Sequence, residues 1–284
     1  MKTKMSLVDL LEAKREQRKV VVLSCYDYTT AKIAIDAGID VLLVGDSAAQ
    51  VILGHDSTLP ATMDFMVTVT AAVHRAAPLA FVIGDMPFLS YQPSEQMALQ
   101  NAGRFVVESG AQMVKIEVTE AHVPVVRAVS QAGIAVMAHI GIRPQNIGLI
   151  GRFKADGTTA PMGMELIHLA DRLVEAGARA LLIEGTATEV AQMITERVDV
   201  PVISCGSGVG CDGQVLIAPD VLGLSQCPKP KFSKAFGQLY EPTKQALEQF
   251  RCDIEQAVFP DTAHSYHMKK GELEKLRGML FGGQ

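Results

Sequence analysis

The stretch Val41-Leu-Leu-Val-Gly-Asp46 is an uninterrupted apolar run that ends in a glycine and a carboxylate. Short apolar runs of this kind are typical of strands that are buried on both faces of a parallel sheet. An ionised carboxyl group is costly inside such a sheet, so the acid is expected where its strand emerges into a polar site. The same pattern recurs in Phe81-Val-Ile-Gly-Asp85, Met113-Val-Lys-Ile-Glu117 and Leu181-Leu-Ile-Glu184. Parallel strands would gather all four acids at one end.

Strand and helix patterns alternate about eight times along the chain. The predicted strands lie near residues 19–25, 41–46, 80–85, 113–117, 134–140, 180–184, 200–205 and 220–225. The clearest helices between them are predicted at 29–37, 64–75, 94–109 and 164–176. This count predicts an α/β fold of the (β/α)8 TIM-barrel type. An open doubly wound sheet would more often show a G-x-G-x-x-G turn after its first strand, and none is present there.

The segments before the first and after the eighth predicted strand–helix repeat are interpreted as additions to one barrel domain that spans residues 1–284. An amphipathic helix at 5–17 gives an N-terminal cap over residues 1–18, placed at the amino-terminal end of the barrel. Helical patterns at 243–258 and 272–280 give a C-terminal helical extension, with a tail over residues 259–284.

Composition narrows the class of partner. The 284-residue chain has a formal net charge of -5 and no cluster of Lys and Arg, which argues against nucleic acid and anionic membranes. Small molecules are the expected partners. No stretch reaches the ~20 apolar residues of a membrane span, and the N-terminus does not resemble an export signal. The odd count of cysteines lacks a C-x-x-C pair, which predicts reduced thiols in a cytoplasmic protein. They are Cys25, Cys205, Cys211, Cys227 and Cys252.

The acids at the strand ends indicate a metal. Carboxylates that lie close together repel one another unless a cation joins them, so a divalent ion is the first expectation. Asp46 and Asp85 could instead cap helices or bond to loops. Lys115 and Glu117 share one face of their strand, which would be the lumen of a barrel. A lysine there needs an anionic ligand or an acid, and a self-satisfied pair with Glu117 is the alternative.

Three further features follow later strands. His139 ends an apolar run, where it could bind a keto oxygen or a metal, or simply be a satisfied polar residue. Glu184 is a candidate acid or base opposite the metal cluster. The glycine-rich stretch 206–213 is typical of a phosphate-binding loop and equally of a tight turn.

An ordered set of motifs extends over residues 20 to 268. The most specific motif is Gly54-His-Asp-Ser-Thr-Leu-Pro60. The others are Tyr26-Asp-Tyr28, Val44-Gly-Asp-Ser47, Asp85-Met-Pro-Phe88, Val114-Lys-Ile-Glu117, His139-Ile-Gly-Ile-Arg-Pro-Gln145, Asp212-Gly-Gln214, Pro230-Lys-Phe232, Pro260 and His264-Ser265. In this order and spacing, the set resembles the ketopantoate hydroxymethyltransferase family.

This resemblance implies a magnesium-dependent barrel, a homo-oligomer of decamer type, with 5,10-methylenetetrahydrofolate as co-substrate. The implied reaction transfers a hydroxymethyl group to 3-methyl-2-oxobutanoate and gives 2-dehydropantoate, on the route to pantothenate and coenzyme A. The implied metal residues are Asp46, Asp85 and Glu117. The implied substrate-binding residues are Asp46, Ser47, Asp85, Lys115 and His139, and the implied catalytic acid or base is Glu184. A 2-oxo acid can chelate a hard cation, which makes its C3 proton easier to remove.

The chain departs from the family pattern around this constellation. Ala48-Ala-Gln50 stands where a Leu-Gly-Met-like segment is frequent, and Val118 where Gly is usual. Arg143 replaces a common Thr and Arg152 a Gly, and Ser204, Cys205 and Ser207 change the glycine-rich turn. These changes leave the preferred 2-oxo acid open. They predict a shifted preference among 2-oxo acids or altered binding of the glutamate tail of the folate. The alternative is that both arginines face solvent and have no measurable effect.

Two other functions stay open at the level of sequence. A magnesium-dependent C–C lyase or mutase of the phosphoenolpyruvate mutase and isocitrate lyase type also enolises 2-oxo acids, but no Lys-Lys-Cys-Gly-like loop is present. A diverged paralogue could bind a folate or an oxo acid without turnover, although every proposed catalytic residue is retained.

Overall fold

The computed structural model describes residues 4–152, 154–225 and 230–282. The chain divides into two compact units, Met1–Phe236 and Gly237–Gln284. The cysteines within the described ranges are free thiols, and Cys227 lies outside those ranges.

Eight parallel strands close into a barrel in chain order within the described residues, which confirms the predicted fold class. Each strand pairs with the next, and the last pairs with the first. The strands are β1 (Val20–Ser24), β2 (Val41–Val44), β3 (Phe81–Asp85), β4 (Met113–Glu117), β5 (Ala135–Gly141), β6 (Ala180–Glu184), β7 (Val202–Cys205) and β8 (Gly213–Ile217).

Helices separate most of these strands. They are α1 (Leu7–Arg15), α2 (Tyr28–Asp36), α3 (Ala48–Val51), α4 (Met63–Ala76), α5 (Glu95–Arg104), α6 (Val123–Gln131), α7 (Ile147–Ile150), α8 (Ala160–Glu175), α9 (Thr188–Arg197) and α10 (Ala218–Val221). The four predicted helices are confirmed with small shifts at their ends. The helix predicted at 94–109 changes to a π-helical turn at Phe105–Ser109, where Phe105 packs directly against Gly84 of β3.

The predicted position of the eighth strand was wrong. The structure places β8 at Gly213–Ile217, and residues 218–221 form a short helix with a proline in its first turn. Sequence reasoning treated Gly213 as the end of a loop. It is the first residue of β8, and glycine is required there because a Cβ would collide with the carbonyl oxygen of Val20 on β1. The seven residues between β7 and β8 therefore form a loop without a helix.

The barrel has an apolar lumen at its amino-terminal end. Side chains from every strand meet there, including Val22, Leu43, Ile83 and Met113. Leu10 and Ala13 of α1 belong to the same cluster, so this helix packs on the lumen. A second, larger cluster lies between the strands and the outer helices. Packing thus fills one end of the barrel and leaves the other for polar residues.

The second unit contains α11 (Tyr240–Glu255) and α12 (Glu272–Phe281) in its described part. The rings of Phe250 and Phe259 meet edge to face at 6.1 Å. In the described chain, no helix combines the length and hydropathy that a membrane crossing requires.

Candidate active site

The four acids that follow the apolar runs lie at the carboxyl-terminal rim of the barrel. Asp85, Glu117 and Glu184 are the last residues of β3, β4 and β6, and Asp46 follows β2 by two positions. Because parallel strands all end on the same side, the structure brings these acids to one rim. Asp46, Asp85 and Glu117 are only 3%, 1% and 3% exposed.

Lys115 links two of the acids. Its Nζ lies 2.6 Å from Oδ2 of Asp85, the residue in register with it on β3. The same oxygen accepts the backbone N–H of Asp46 at 2.9 Å. Burial opposes the charged form of Lys115, but the neighbouring carboxylates, Asp85 first, outweigh burial and raise the pKa of Lys115. The lysine stays cationic with Asp85 as its ion-pair partner, rather than Glu117 on its own strand.

Glu117 is held by a backbone amide. Its Oε2 accepts the N–H of Gln145 at 3.0 Å, and burial raises the pKa of this carboxyl group well above its usual value. Burial also raises the pKa of Asp85, an effect that Lys115 opposes in part. A pair of buried acids with raised pKa values beside a single lysine indicates a site that is short of positive charge.

His139 lies between two acids at the rim. Its Nδ1 is 3.7 Å from Oε1 of Glu117, and its Nε2 is 3.4 Å from Oε2 of Glu184. Burial, with the charge of Lys115, lowers the pKa of His139 well below its usual value, so the ring is neutral near pH 7. A neutral ring can offer one N–H donor and one acceptor to these carboxyl groups or to a substrate oxygen.

Glu184 differs from the other acids. Its side chain is 19% exposed, whereas that of His139 beside it is 1% exposed. Burial raises the pKa of Glu184 to about 7, although Lys115 opposes the rise. A carboxyl group with such a pKa exchanges protons readily near neutral pH, as a general acid or base requires.

Ser47 has its hydroxyl placed by Tyr26. The Oη of Tyr26 lies 2.7 Å from Oγ of Ser47, and it accepts a hydrogen bond from Ser24 at 3.2 Å. A Cβ at Gly45 would lie 2.9 Å from the Ser47 oxygen and 3.1 Å from that of Ser24. The glycine before Asp46 therefore leaves room for a hydroxyl cluster beside the acid.

The donor set at the rim fits a hard cation. Asp85 Oδ1 and Glu117 Oε1 are buried without a hydrogen-bond partner. An unpaired buried acceptor costs about 1–3 kcal/mol, so these oxygens favour a ligand. Magnesium binds carboxylate oxygens and keeps several waters, so one or two acids suffice. Over the described ranges, no group of three His, Cys, Asp or Glu side chains is placed to hold a metal ion together. Direct ligation by Asp46, Asp85 and Glu117 together stays a prediction.

Sequence reasoning missed two residues of this site. Gln145 is 2% exposed and contacts Asp46 and Glu117. Tyr91, 1% exposed, bonds to the amide of Gln145 and the backbone of Glu117. Gln145 closes the motif that begins at His139, which was the available signal. Tyr91 lies in a loop without any pattern that could have revealed it.

The altered neighbours of the site occupy different environments. Arg143 follows β5 and is half-buried, with a buried Nε that has no hydrogen-bond partner. Arg152 is exposed. In the glycine-rich stretch, Ser207 donates its N–H to Ser204 Oγ at 2.9 Å and its hydroxyl to the Ile183 carbonyl at 2.9 Å. Those bonds tie β6 to β7 and favour the tight turn.

A protein-family model described as ketopantoate hydroxymethyltransferase matches residues 4–262. The chain belongs to the ketopantoate hydroxymethyltransferase family. This result confirms the resemblance that the motifs carry. A relative from Syntrophobacter fumaroxidans, named 3-methyl-2-oxobutanoate hydroxymethyltransferase, is 45% identical over 98% of this chain and 99% of its own length. A relative of the same name from Nitrosopumilus maritimus is 43% identical over 97% of this chain and 98% of its own length.

Solved structures of other enzymes share the barrel of this ketopantoate hydroxymethyltransferase family member. A phosphoenolpyruvate phosphomutase from Streptomyces platensis subsp. rosaceus has a TM-score of 0.61 at 16% identity, over 97% of this chain and 96% of its own. A phosphonopyruvate hydrolase in complex with oxalate and Mg²⁺ has a TM-score of 0.60 at 12% identity, over 98% and 99%. At these identities the likeness shows the fold alone.

Proposed function

We propose that this protein transfers a hydroxymethyl group from 5,10-methylenetetrahydrofolate to 3-methyl-2-oxobutanoate and produces 2-dehydropantoate for pantothenate and coenzyme A synthesis. The observation that carries the proposal is the buried rim of acids around Lys115, in a chain of this family. The names of its relatives, which match it over nearly their full lengths, support the same reaction.

Magnesium is the metal that the rim fits. Asp46 and Asp85 would hold it, with Glu117 beside them, because their oxygens are hard donors and two at the rim lack partners. When bound, the ion supplies a Lewis acid that draws charge from the keto group of a 2-oxo acid.

The polar side chains around the acids would bind the oxo acid. Lys115 supplies positive charge opposite the negative charge that develops on the substrate, and its bond to Asp85 fixes the direction of that charge. The hydroxyl of Ser47 is oriented by Tyr26 and offers a further hydrogen bond. His139, neutral and buried, would contact the substrate from β5, beside Glu117.

Glu184 would move the proton on C3 of the oxo acid. A carboxylate that has a pKa of about 7 can accept that proton and release it later. The methylene carbon is bonded to two folate nitrogens, and one of these C–N bonds breaks to give an iminium ion to which C3 forms its new bond. The second C–N bond then breaks as water supplies the hydroxyl group to that carbon. The two nitrogens take up the proton from C3 and one proton from water, and tetrahydrofolate leaves.

The test is folate-dependent turnover with magnesium across several 2-oxo acids, with the products identified by mass spectrometry. We expect 2-dehydropantoate from 3-methyl-2-oxobutanoate, and loss of at least about a hundredfold in rate in Glu184→Gln. Glu189→Gln, an exposed acid on α9, is the matched control and should retain the parent rate. Absence of folate-dependent product with every oxo acid would contradict the proposal, as would a Glu184→Gln variant at the parent rate.

A further inference from the structure

Gln145 contacts two rim acids that Lys115 does not pair with, Asp46 and Glu117. Its side-chain Nε2 donates to Oδ2 of Asp46 at 2.9 Å and to the carbonyl oxygen of Met86 at 3.0 Å. Its backbone N–H donates to Oε2 of Glu117 at 3.0 Å. A single side chain and backbone amide, in the segment after β5, therefore fix one oxygen on each of two carboxylates. One carboxylate follows β2 and the other ends β4.

The surroundings set the orientation of the Gln145 amide. Its Oε1 accepts hydrogen bonds from the hydroxyl of Tyr91 at 2.8 Å and from Nε2 of Gln92 at 3.1 Å. A flipped amide would place its oxygen against the Met86 carbonyl and the Asp46 carboxylate, which are both acceptors. The NH₂ group is thus directed at Asp46, and Tyr91 and Gln92 hold it there.

We infer that Gln145 is a positioning residue that holds Asp46 and Glu117 ready for a divalent cation. This inference rests on the proposed function, because the cation is the one required there. An uncharged amide orients a carboxylate without neutralising it, whereas a second cation beside Lys115 would compete with a metal. The bond from Gln145 uses Oε2 of Glu117, and Oε1 of that residue has no hydrogen-bond partner.

The test measures binding of Mn²⁺ alone by electron paramagnetic resonance, without substrate or turnover. Gln145→Met keeps the length of the side chain and removes both donors of its amide. We expect its dissociation constant for Mn²⁺ to rise about tenfold or more, as for residues that orient metal ligands. The magnesium concentration that gives half-maximal turnover should rise by a similar factor. The turnover rate at saturating magnesium should fall by a smaller factor.

Gln112→Met is the matched control. The amide of Gln112 also makes two bonds, from Val82 N at 3.1 Å and to the Met5 carbonyl at 2.8 Å, at the opposite end of the barrel. It should leave Mn²⁺ affinity unchanged even if it lowers thermal stability. Tyr91→Phe removes the hydroxyl that contacts the Gln145 amide and the carbonyl oxygen of Glu117 but keeps the Gln145 donors, so it should weaken Mn²⁺ binding less than Gln145→Met. It serves if that variant does not fold.

The outcomes separate this inference from the proposed function. Unchanged Mn²⁺ affinity in Gln145→Met and Tyr91→Phe, with binding intact in the parent, overturns the positioning role and leaves the reaction untouched. Equal weakening in Gln112→Met also overturns it, because the effect would then be one of general stability. A parent protein that binds no Mn²⁺ and makes no 2-dehydropantoate overturns both.

Discussion

The two ends of the barrel differ in whether their buried polar groups have hydrogen-bond partners. At the amino-terminal end, Asp212 Oδ2 accepts bonds from Lys14 at 2.8 Å and from the Val202 N–H at 2.9 Å. At the carboxyl-terminal end, Asp85 Oδ1 and Glu117 Oε1 have no hydrogen-bond partner. Polar groups at the first end satisfy one another and contribute to stability. Those at the second end retain unmet bonding capacity, which costs stability and favours a ligand.

Replacement of one acid at each end gives the largest expected contrast. Asp85→Asn removes a charged oxygen from the proposed metal site, so its rate should fall well over tenfold, which corresponds to more than ~1.4 kcal/mol. Asp212→Asn loses its ion pair with Lys14, so it should lower the melting temperature and leave the rate per folded molecule near that of the parent. Steady-state kinetics and thermal melts on both variants measure the contrast. An Asp85→Asn enzyme with parental kinetics would contradict this contrast between the two ends of the barrel.

The cost of the polar rim should appear in the pH dependence of stability. The pKa of Glu184 is raised from 4.5 to about 7 in the folded chain, so the unfolded chain loses this proton first. Between about pH 4.5 and 7 the folded state binds more protons, and this residue therefore lowers stability as pH rises, with no further change above that range. Glu184→Gln removes this titration and should be more stable than the parent above pH 7.

Urea unfolding of metal-free protein at pH 5 and pH 8 measures this effect. The gain of Glu184→Gln over the parent should be larger at pH 8 than at pH 5, because only at pH 8 does the parent hold an unfavourable charge. Glu189→Gln, on the exposed face of α9, should show the same small difference at both pH values. An equal gain for Glu184→Gln at both pH values would contradict a raised pKa at the rim.

The smallest expected effect distinguishes two arginines that follow β5 in the chain, Arg143 and Arg152. Arg143 is half-buried with an unpartnered Nε, whereas Arg152 is exposed. Arginine pairs carboxylates through two parallel hydrogen bonds, so Arg143→Thr should change kcat/KM a few-fold for some oxo acids or for folates of different tail length. Arg152→Gly should leave these kcat/KM values nearly unchanged. Identical selectivity in the parent and both variants would show that neither residue contributes to substrate selectivity.

The apolar runs revealed the strand ends because a carboxylate after such a run has few tolerable positions in a parallel barrel. The same reasoning misplaced the eighth strand. Gly213 was interpreted as a loop residue, since its requirement is a close approach to Val20 and not a turn. Gln145 also escaped detection as a site residue. An amide is ordinary in sequence, and its importance comes from the two acids that the fold brings to it.

The central claim is that a divalent metal at the carboxyl-terminal rim, with Glu184, makes the C3 proton of the oxo acid removable. Nuclear magnetic resonance of 3-methyl-2-oxobutanoate in deuterated water, with enzyme and without folate, tests it directly. We predict C3 deuterium exchange with magnesium, and its loss with a chelator or in Asp85→Asn. Exchange at the parental rate in the presence of chelator, or turnover with folate in an enzyme that never exchanges C3 without it, would contradict the account.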